Sequence, residues 1–408
     1  MNLLDAIYGL AAGVLYPVWS RKTRGGWAER FGNLPALPTP AGGRPRLLLH
    51  AVSVGETNAL RHLVPLLGER ADVVISAGTD TGLARARDLY GSSCSVVRYP
   101  LDFSRSVRRF LDAVRPDAVG LVELEVWPNF VGECVARGIP VGVINGRLSE
   151  RSFRGYRMIR PFMRHSFKRL RFAAVQDESY RERFLAMGVA PDRCAVTGSM
   201  KWDSASITDE ISGADDLAIA MGIDRSRPLV VAGSTGPGEE QLLHAACPRG
   251  VQLLCAPRKV ERFEEAAAAL PGCVRRTAGS PGANGSDRFL LDTIGELRKA
   301  YALATVVVVG RSFGSQYGSD PIEPIGLGKA TVIGPSVSDF TSIVAAFVRE
   351  GGIVQAGAES LGSVLLRLLG SEGERRELAE RGRACIRGQQ GASGRNARIM
   401  LGWLEGRG

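Results

Sequence analysis

Residues 46–77 read RLLLHAVSVGETNALRHLVPLLGERADVVISA. Arg46 to Val52 is a near-continuous apolar run, Thr57 to Arg70 has the mixed polar and apolar spacing of an amphipathic helix, and Asp72 to Ala77 returns to a β-branched run. A strand, a helix and a second strand, neither strand with a hydrophilic face, indicate a parallel sheet covered on both sides. The same rhythm extends outward through expected strands at Cys94 to Tyr99, Ala118 to Glu125, Pro140 to Asn145, Phe172 to Gln176 and Cys194 to Thr197. Helical stretches such as Ser104 to Arg115 lie between them.

From Trp202 to Gly222 the rhythm breaks into Ser, Asp and Gly, and then it restarts. Strands are expected at Leu229 to Ala232, Val251 to Ala256, Phe289 to Leu291, Thr305 to Val309, Thr331 to Ile333 and Ile353 to Gln355. The chain therefore reads as an α/β protein with two doubly wound domains of similar size. Ligands of such sheets bind beyond the carboxyl ends of the strands, so a cleft between the halves is the expected site. Gly279 to Ser286, rich in Gly, Pro, Ala and Asn, reads as a surface loop.

The chain's 408 residues are 45% apolar and 23% charged, which excludes collagen-like, mucin-like and disordered classes. A net charge of +10 favours anionic partners: nucleic acid, phosphorylated molecules or a membrane surface. Nucleic acid is the least favoured, because no reading motif accompanies the charge. The seven Cys are scattered and never spaced as Cys-x-x-Cys, and the four His show no ligand spacing, so neither a disulfide scaffold nor a His or Cys metal site is expected.

Ala6 to Ser20 carries no charge and is followed at once by Arg21, Lys22 and Arg24. As a helix this run spans about 22 Å, short of the ~30 Å hydrocarbon core, so it is a marginal membrane span. The order, apolar before basic, disfavours a cleavable signal peptide and would keep the following domains in the cytoplasm. A helix packed on its own domain and an amphipathic anchor lying in the interface are the alternatives.

The strand ends carry the chemistry. The first strand runs into Ser53-Val54-Gly55-Glu56 at the start of a helix, where the dipole favours an ionised carboxylate able to accept a proton; capping of that helix is the competing role. Glu123-Leu124-Glu125 closes the fourth strand, and in an extended chain its two carboxylates share a face, either paired with Arg or put to use. No Walker A sequence and no Gly-x-Gly-x-x-Gly after the first strand is present.

In the second half, Gly233-Ser234-Thr235-Gly236-Pro237-Gly238 lies between a strand and a helix, where its amides can cradle an anion. Arg258 and Lys259 follow a strand as candidate phosphate partners, with solvated strand-end charges as the plainer reading. Asp320 and Glu323 enter another helix, where they cap it or bind ribose hydroxyls. A basic stripe of Arg151, Arg154, Arg157, Arg160, Arg164, Lys168 and Arg171 runs beside Phe153, Tyr156, Ile159, Met163, Phe167 and Leu170, as in an amphipathic helix interrupted at Pro161. It is either a solvated face or a contact for anionic lipid headgroups or a phosphorylated acceptor.

Taken in order, these residues resemble the Kdo transferase family, which moves 3-deoxy-D-manno-octulosonic acid from CMP-Kdo to a lipid A precursor. The resemblance runs from Trp27 to Gly32 through Ser53 to Glu56, Glu123 to Asn129, Asn145 to Ser149, Thr197 to Asp203, Pro257-Arg258 with Glu261 to Phe263, and Asp292 to Glu296, and ends at Gln390 to Ala392. It implies a GT-B fold: an anchor over 1–24, an acceptor-binding domain over 25–203 and a CMP-sugar domain over 204–408. Glu56 would be the catalytic base, with Glu123 and Lys201 stabilising the transition state. Pro257, Arg258, Ile294, Gly295, Glu296, Asp320, Pro321, Ile322 and Glu323 would form the CMP site. The resemblance further implies an inverting reaction without metal or cofactor, at the cytoplasmic face of the inner membrane, with CMP-Kdo, a lipid A precursor and an anionic membrane surface as partners. Lys259, Tyr317, Ser319, Asp320 and Leu124 depart from the family's usual residues. A relative with another donor or acceptor, and a nucleotide-sugar epimerase on the same scaffold, are the alternatives.

Overall fold

The computed structural model describes residues 4–6, 8–9, 25–278 and 286–405. Most of the apolar run Ala6 to Ser20, the basic cluster after it and nearly all of the loop Gly279 to Ser286 lie outside the described residues. Among the described residues no helix is long and apolar enough to cross a membrane.

The chain forms two compact units, one reaching Ser204 and taking in the chain again from Gln389, the other Ala205–Gly388. The first holds a seven-stranded parallel sheet in the order β3-β2-β1-β4-β5-β6-β7. Its strands are β1 Arg46–Ala51, β2 Asp72–Ala77, β3 Ser95–Arg98, β4 Ala118–Val122, β5 Val141–Gly146, β6 Ala173–Val175 and β7 Cys194–Val196. β1, β4 and β5 are buried at every position, as strands covered on both faces must be. Alternate residues feed two cores: Leu48, Val119 and Val143 point to one, Leu47, Leu49, Ala118 and Ile144 to the other.

The second core explains where the chain's last helix goes. Ala392–Glu405 lays Ala392, Ala397, Met400 and Trp403 into it, so the first unit reclaims a segment that the sequence reading assigned to the second domain. Gly120 and Gly142, paired across β4 and β5, make room for it. A Cβ on Gly142 would sit 2.5 Å from the Trp403 ring and 2.6 Å from the Phe172 carbonyl oxygen, a spacing only glycine permits.

The second unit has seven parallel strands in the order β10-β11-β9-β8-β12-β13-β14. They are β8 Leu229–Thr235, β9 Gln252–Pro257, β10 Val274–Arg275, β11 Arg288–Leu290, β12 Val306–Val309, β13 Ala330–Ile333 and β14 Val354–Gln355. Two-residue β10 escapes the sequence reading because it has no hydrophobic run of its own. The basic stripe forms two helices, Glu150–Met158 and Arg160–Lys168, with the break at Ile159. Pro161 sits in the first turn of the second helix, where its missing N–H costs nothing.

Candidate active site

In each sheet the strand order reverses direction once, between β1 and β4 and between β8 and β12. Loops leaving such a pair diverge and open a crevice at the carboxyl ends. Glu56 follows β1 and Glu123 follows β4, so both expected carboxylates sit at the switch point of the first sheet.

Glu56 lies in the first turn of helix Val54–Ala59, whose N-cap is Ser53. Its carboxylate accepts the Val52 N–H and the Ser53 hydroxyl, each at 2.8 Å, while Ser53 Oγ accepts the Glu56 N–H at 3.3 Å. This reciprocal cap fixes the side chain, so the capping role is real and leaves lone pairs on both carboxylate oxygens. Burial pushes the Glu56 carboxyl up to about 7, and Glu123 and Glu125 add repulsion against the lowering effect of its two donors. The helix dipole read from the sequence favours the charged form, but desolvation outweighs it. The result is a carboxyl group that titrates near neutrality, able to give up or take a proton there.

β4 stops at Val122, one residue short of Glu123, so the expectation of an extended strand with two carboxylates on one face does not hold. Glu123 instead takes a left-handed conformation, φ 61°, pinned by its N–H to the Ile144 carbonyl and its carbonyl to the Arg147 N–H. Its carboxyl is raised by burial and drawn down by Arg147, 3.9 Å away, and by Lys201. Glu125 turns aside and accepts the Trp127 indole N–H at 2.7 Å. Glu56, Glu123 and Lys201 thus form one electrostatic cluster.

Residues that the sequence reading gave no role hold this cluster in place. Asn145, also left-handed at φ 51°, accepts the Met200 N–H on its side-chain oxygen at 2.9 Å and so sets the turn that presents Lys201. Its own N–H is bound by Asn396 of the last helix, and Asp203 accepts the N–H groups of Gly391 and Ser393 at that helix's start. An Asn that tolerates positive φ, at the end of a β-branched strand, is the signal that marks the position.

In the second unit, Arg258, Ile294 to Glu296 and Asp320 to Glu323 follow β9, β11 and β12, close to the second switch point. Arg258 and Ile294 are exposed, the latter 70%. Glu296 pairs with Arg276 at 3.1 Å and accepts the Thr293 hydroxyl at 2.7 Å, and Asp320 caps the Ile322 N–H at 2.9 Å. Glu323 faces Arg298 at 3.9 Å. Buried Tyr301 lies among them, its hydroxyl pushed up by burial and by Glu323 and Asp320.

In the Gly-rich stretch at the end of β8 one amide of the expected cradle is already taken. Buried Glu239 accepts the N–H groups of Gly236, Arg311, Ser312 and Phe313 at 2.6–3.0 Å, so a protein carboxylate ties this stretch to the loop after β12. Among the described residues no group of three or more His, Cys, Asp or Glu is arranged to hold a metal.

Both halves resemble known proteins. The profile of the family described as 3-Deoxy-D-manno-octulosonic-acid transferase (kdotransferase) matches residues 25–204. The 3-deoxy-D-manno-octulosonic acid transferase of Bordetella pertussis is 32% identical, with 98% of each chain covered. That of Haemophilus influenzae is 28% identical over 96% of this chain and 94% of its own. Among solved structures, Anabaena HepE in complex with UDP and glucose superposes with a TM-score of 0.60 at 11% identity, covering 89% of this chain and 100% of its own. UDP-GlcNAc 2-epimerase from Neisseria meningitidis bound to UDP-GlcNAc gives 0.59 at 13%, with the same coverage. These two share the fold alone, whereas the sequence relatives are transferases over nearly their whole length. This chain belongs to the 3-deoxy-D-manno-octulosonic acid transferase family.

Proposed function

We propose that the protein transfers Kdo from CMP-Kdo to a lipid A precursor at the cytoplasmic face of the inner membrane, in lipopolysaccharide synthesis. Kinship with Kdo transferases along the whole chain supports donor and reaction class and disfavours the epimerase alternative. The observation that carries the mechanism is a buried carboxylate at a switch point with its pKa near 7. Glu56 takes the proton from an acceptor hydroxyl as that oxygen forms a bond to the anomeric carbon. The bond from that carbon to the CMP phosphate oxygen breaks on the opposite face, CMP departs with the bonding electrons, and the configuration inverts. Lys201 offsets negative charge on the sugar carboxylate or the departing phosphate, while Glu123 offsets positive charge at the anomeric carbon.

Arg258, Pro257, Ile294 to Glu296 and Asp320 to Glu323 are proposed to hold CMP. Membrane attachment is supported by the corner between helices Glu150–Met158 and Arg160–Lys168. There Met158, Ile159 and Phe162 are 85%, 52% and 43% exposed among the Arg residues of the stripe, as in segments that seat apolar side chains below anionic headgroups. The test is purified protein with CMP-Kdo and a tetraacylated lipid A precursor, followed by mass spectrometry. A product heavier by one or more Kdo residues, with matching CMP release, is expected; folded protein that gives neither refutes the assignment.

A further inference from the structure

Helix Glu239–Ala246, just past the end of β8, opens with two carboxylates, Glu239 and Glu240, only 3% and 1% exposed. Glu239 ties down the loop after β12. Glu240 reaches the segment after β9 instead. It takes the Arg262 guanidinium as a fork, Nη1 to Oε1 at 3.0 Å and Nη2 to Oε2 at 2.8 Å, and accepts the Thr235 hydroxyl at 2.5 Å. β9 and β12 are the two neighbours of β8, so one helical turn fastens both segments that flank the second switch point.

The contacts of Arg262 converge on one carbonyl. Its Nη1 donates to the Thr235 carbonyl oxygen at 3.1 Å, and the same oxygen accepts the Arg258 N–H at 3.1 Å. Thr235 is the fully buried last residue of β8, set beside Pro257 across a register shift. It is gripped at the hydroxyl by Glu240 and at the carbonyl by Arg262, and it grips the backbone of Arg258 in turn. Glu265 takes what is left of the guanidinium, Nε at 3.3 Å and Nη2 at 3.0 Å. All five N–H donors of Arg262 therefore have protein partners, and none is left for a ligand.

Stability alone does not call for such a pair. Burying two charges offsets much of their attraction, and apolar residues of similar volume commonly hold a fold as well. Apolar residues cannot supply direction, however. The fork fills one lone pair of the Thr235 carbonyl and leaves the other for the Arg258 N–H.

We propose that Glu240 and Arg262 are positioning residues for the donor, fixing through Thr235 the backbone from which Arg258 reaches the CMP phosphate. The proposal rests on the reading above in which Arg258 holds CMP, and it adds the residues that aim that side chain. Calorimetry on the full chain with CMP and with cytidine tests it, in a cycle of Arg262→Lys, Arg258→Ala and the double variant. Arg262→Lys keeps the charge but has no fork to span Glu240 and the Thr235 carbonyl. It is expected to weaken CMP binding about five- to tenfold and leave cytidine binding unchanged, which also shows that the unit is folded. Arg258→Ala weakens CMP binding at least as much, and adding Arg262→Lys to it causes no further loss. Glu240→Gln, which retains one accepting oxygen, shows the same pattern with a loss of about threefold. Equal losses for CMP and cytidine, or an undiminished effect of Arg262→Lys in the Arg258→Ala background, overturn the proposal. A loss of CMP affinity in Arg258→Ala without one in Arg262→Lys and Glu240→Gln overturns it alone, whereas unchanged CMP affinity in Arg258→Ala removes the donor-site reading with it.

Discussion

Glu56→Gln separates catalysis from stability in one protein. The Glu56 carboxyl rises from its ordinary 4.5 to about 7 in the fold, chiefly through burial. At about 1.4 kcal/mol per tenfold, that rise sets about 3 kcal/mol against the ionised form. Because the folded-state value is raised, the stability linked to Glu56 is fully present below pH 4.5 and is lost as pH climbs through about 7. Gln is permanently neutral, nearly the same shape, and still accepts the Val52 N–H. Allowing about 1 to 2 kcal/mol for the weaker hydrogen bonds of an amide, the variant is more stable than wild type by about 1 to 2 kcal/mol at pH 8. That advantage disappears at pH 4.5. Asp102 also titrates near 7 but is present in both proteins, so the difference between them isolates Glu56. Thermal or urea unfolding at the two pH values measures stability, and CMP release measures transfer. Wild-type kcat/KM falls about tenfold per pH unit below about 7, and the variant loses transfer at every pH. Near-normal turnover by Glu56→Gln removes it from the base role; an equal stability difference at pH 4.5 and pH 8 refutes the account of its pKa.

Glu239→Gln turns an amide NH2 toward backbone N–H groups, so CMP affinity measured by calorimetry is expected to fall at least tenfold; unchanged affinity shows that the two loops need no carboxylate between them. Gly142→Ala drives a methyl into Trp403 and is expected to destabilise the first unit by about 1–3 kcal/mol in urea unfolding, and an unaltered midpoint contradicts the seating of the last helix. Replacing Met158 and Ile159 together by Asp is expected to reduce co-sedimentation with anionic vesicles severalfold; undiminished co-sedimentation moves the membrane contact elsewhere.

The architecture is legible in the sequence because parallel strands buried on both faces are written as uninterrupted apolar runs, Arg46 to Val52 and Thr305 to Val309 among them. What escapes has no local pattern. Ala392–Glu405 is an ordinary amphipathic helix whose destination depends on Gly120 and Gly142, more than two hundred residues earlier. Glu56 is a candidate by its place after the first strand and by the family resemblance, but the sequence displays the helix dipole and hides the burial, so only the structure gives the direction in which its pKa moves. The Gly-rich loop misleads for a related reason: glycines advertise free amides, and the acceptor that takes the Gly236 N–H, Glu239, follows directly in sequence yet is recognisable only when the β12 loop is beside it.

Backbone strain ties the two units to one design. Of five non-glycine residues at positive φ among the described residues, Glu123 directly follows β4 and Asn145 is the next-to-last residue of its partner β5, while Ser234 is the next-to-last residue of β8 and Arg311 lies two residues past its partner β12. Only Arg115, which closes the helix Ser104–Val114, lies away from such a place. A left-handed non-glycine residue costs about 1–3 kcal/mol and persists where its surroundings over-determine it. Those surroundings are the polar contacts already described: Arg147 and Ile144 on Glu123, Met200 and Asn396 on Asn145, Glu239 on Arg311. The strain therefore concentrates at the carboxyl ends of central strands, three of the four positions lying on or after a strand beside a reversal of order. In the first unit it aims a carboxylate at Lys201, and in the second it is locked by a carboxylate. Glycine would relieve the strain at such turns; Glu at 123 and Asn at 145 instead set a carboxylate, and an amide that accepts the Met200 N–H, on the turned backbone itself.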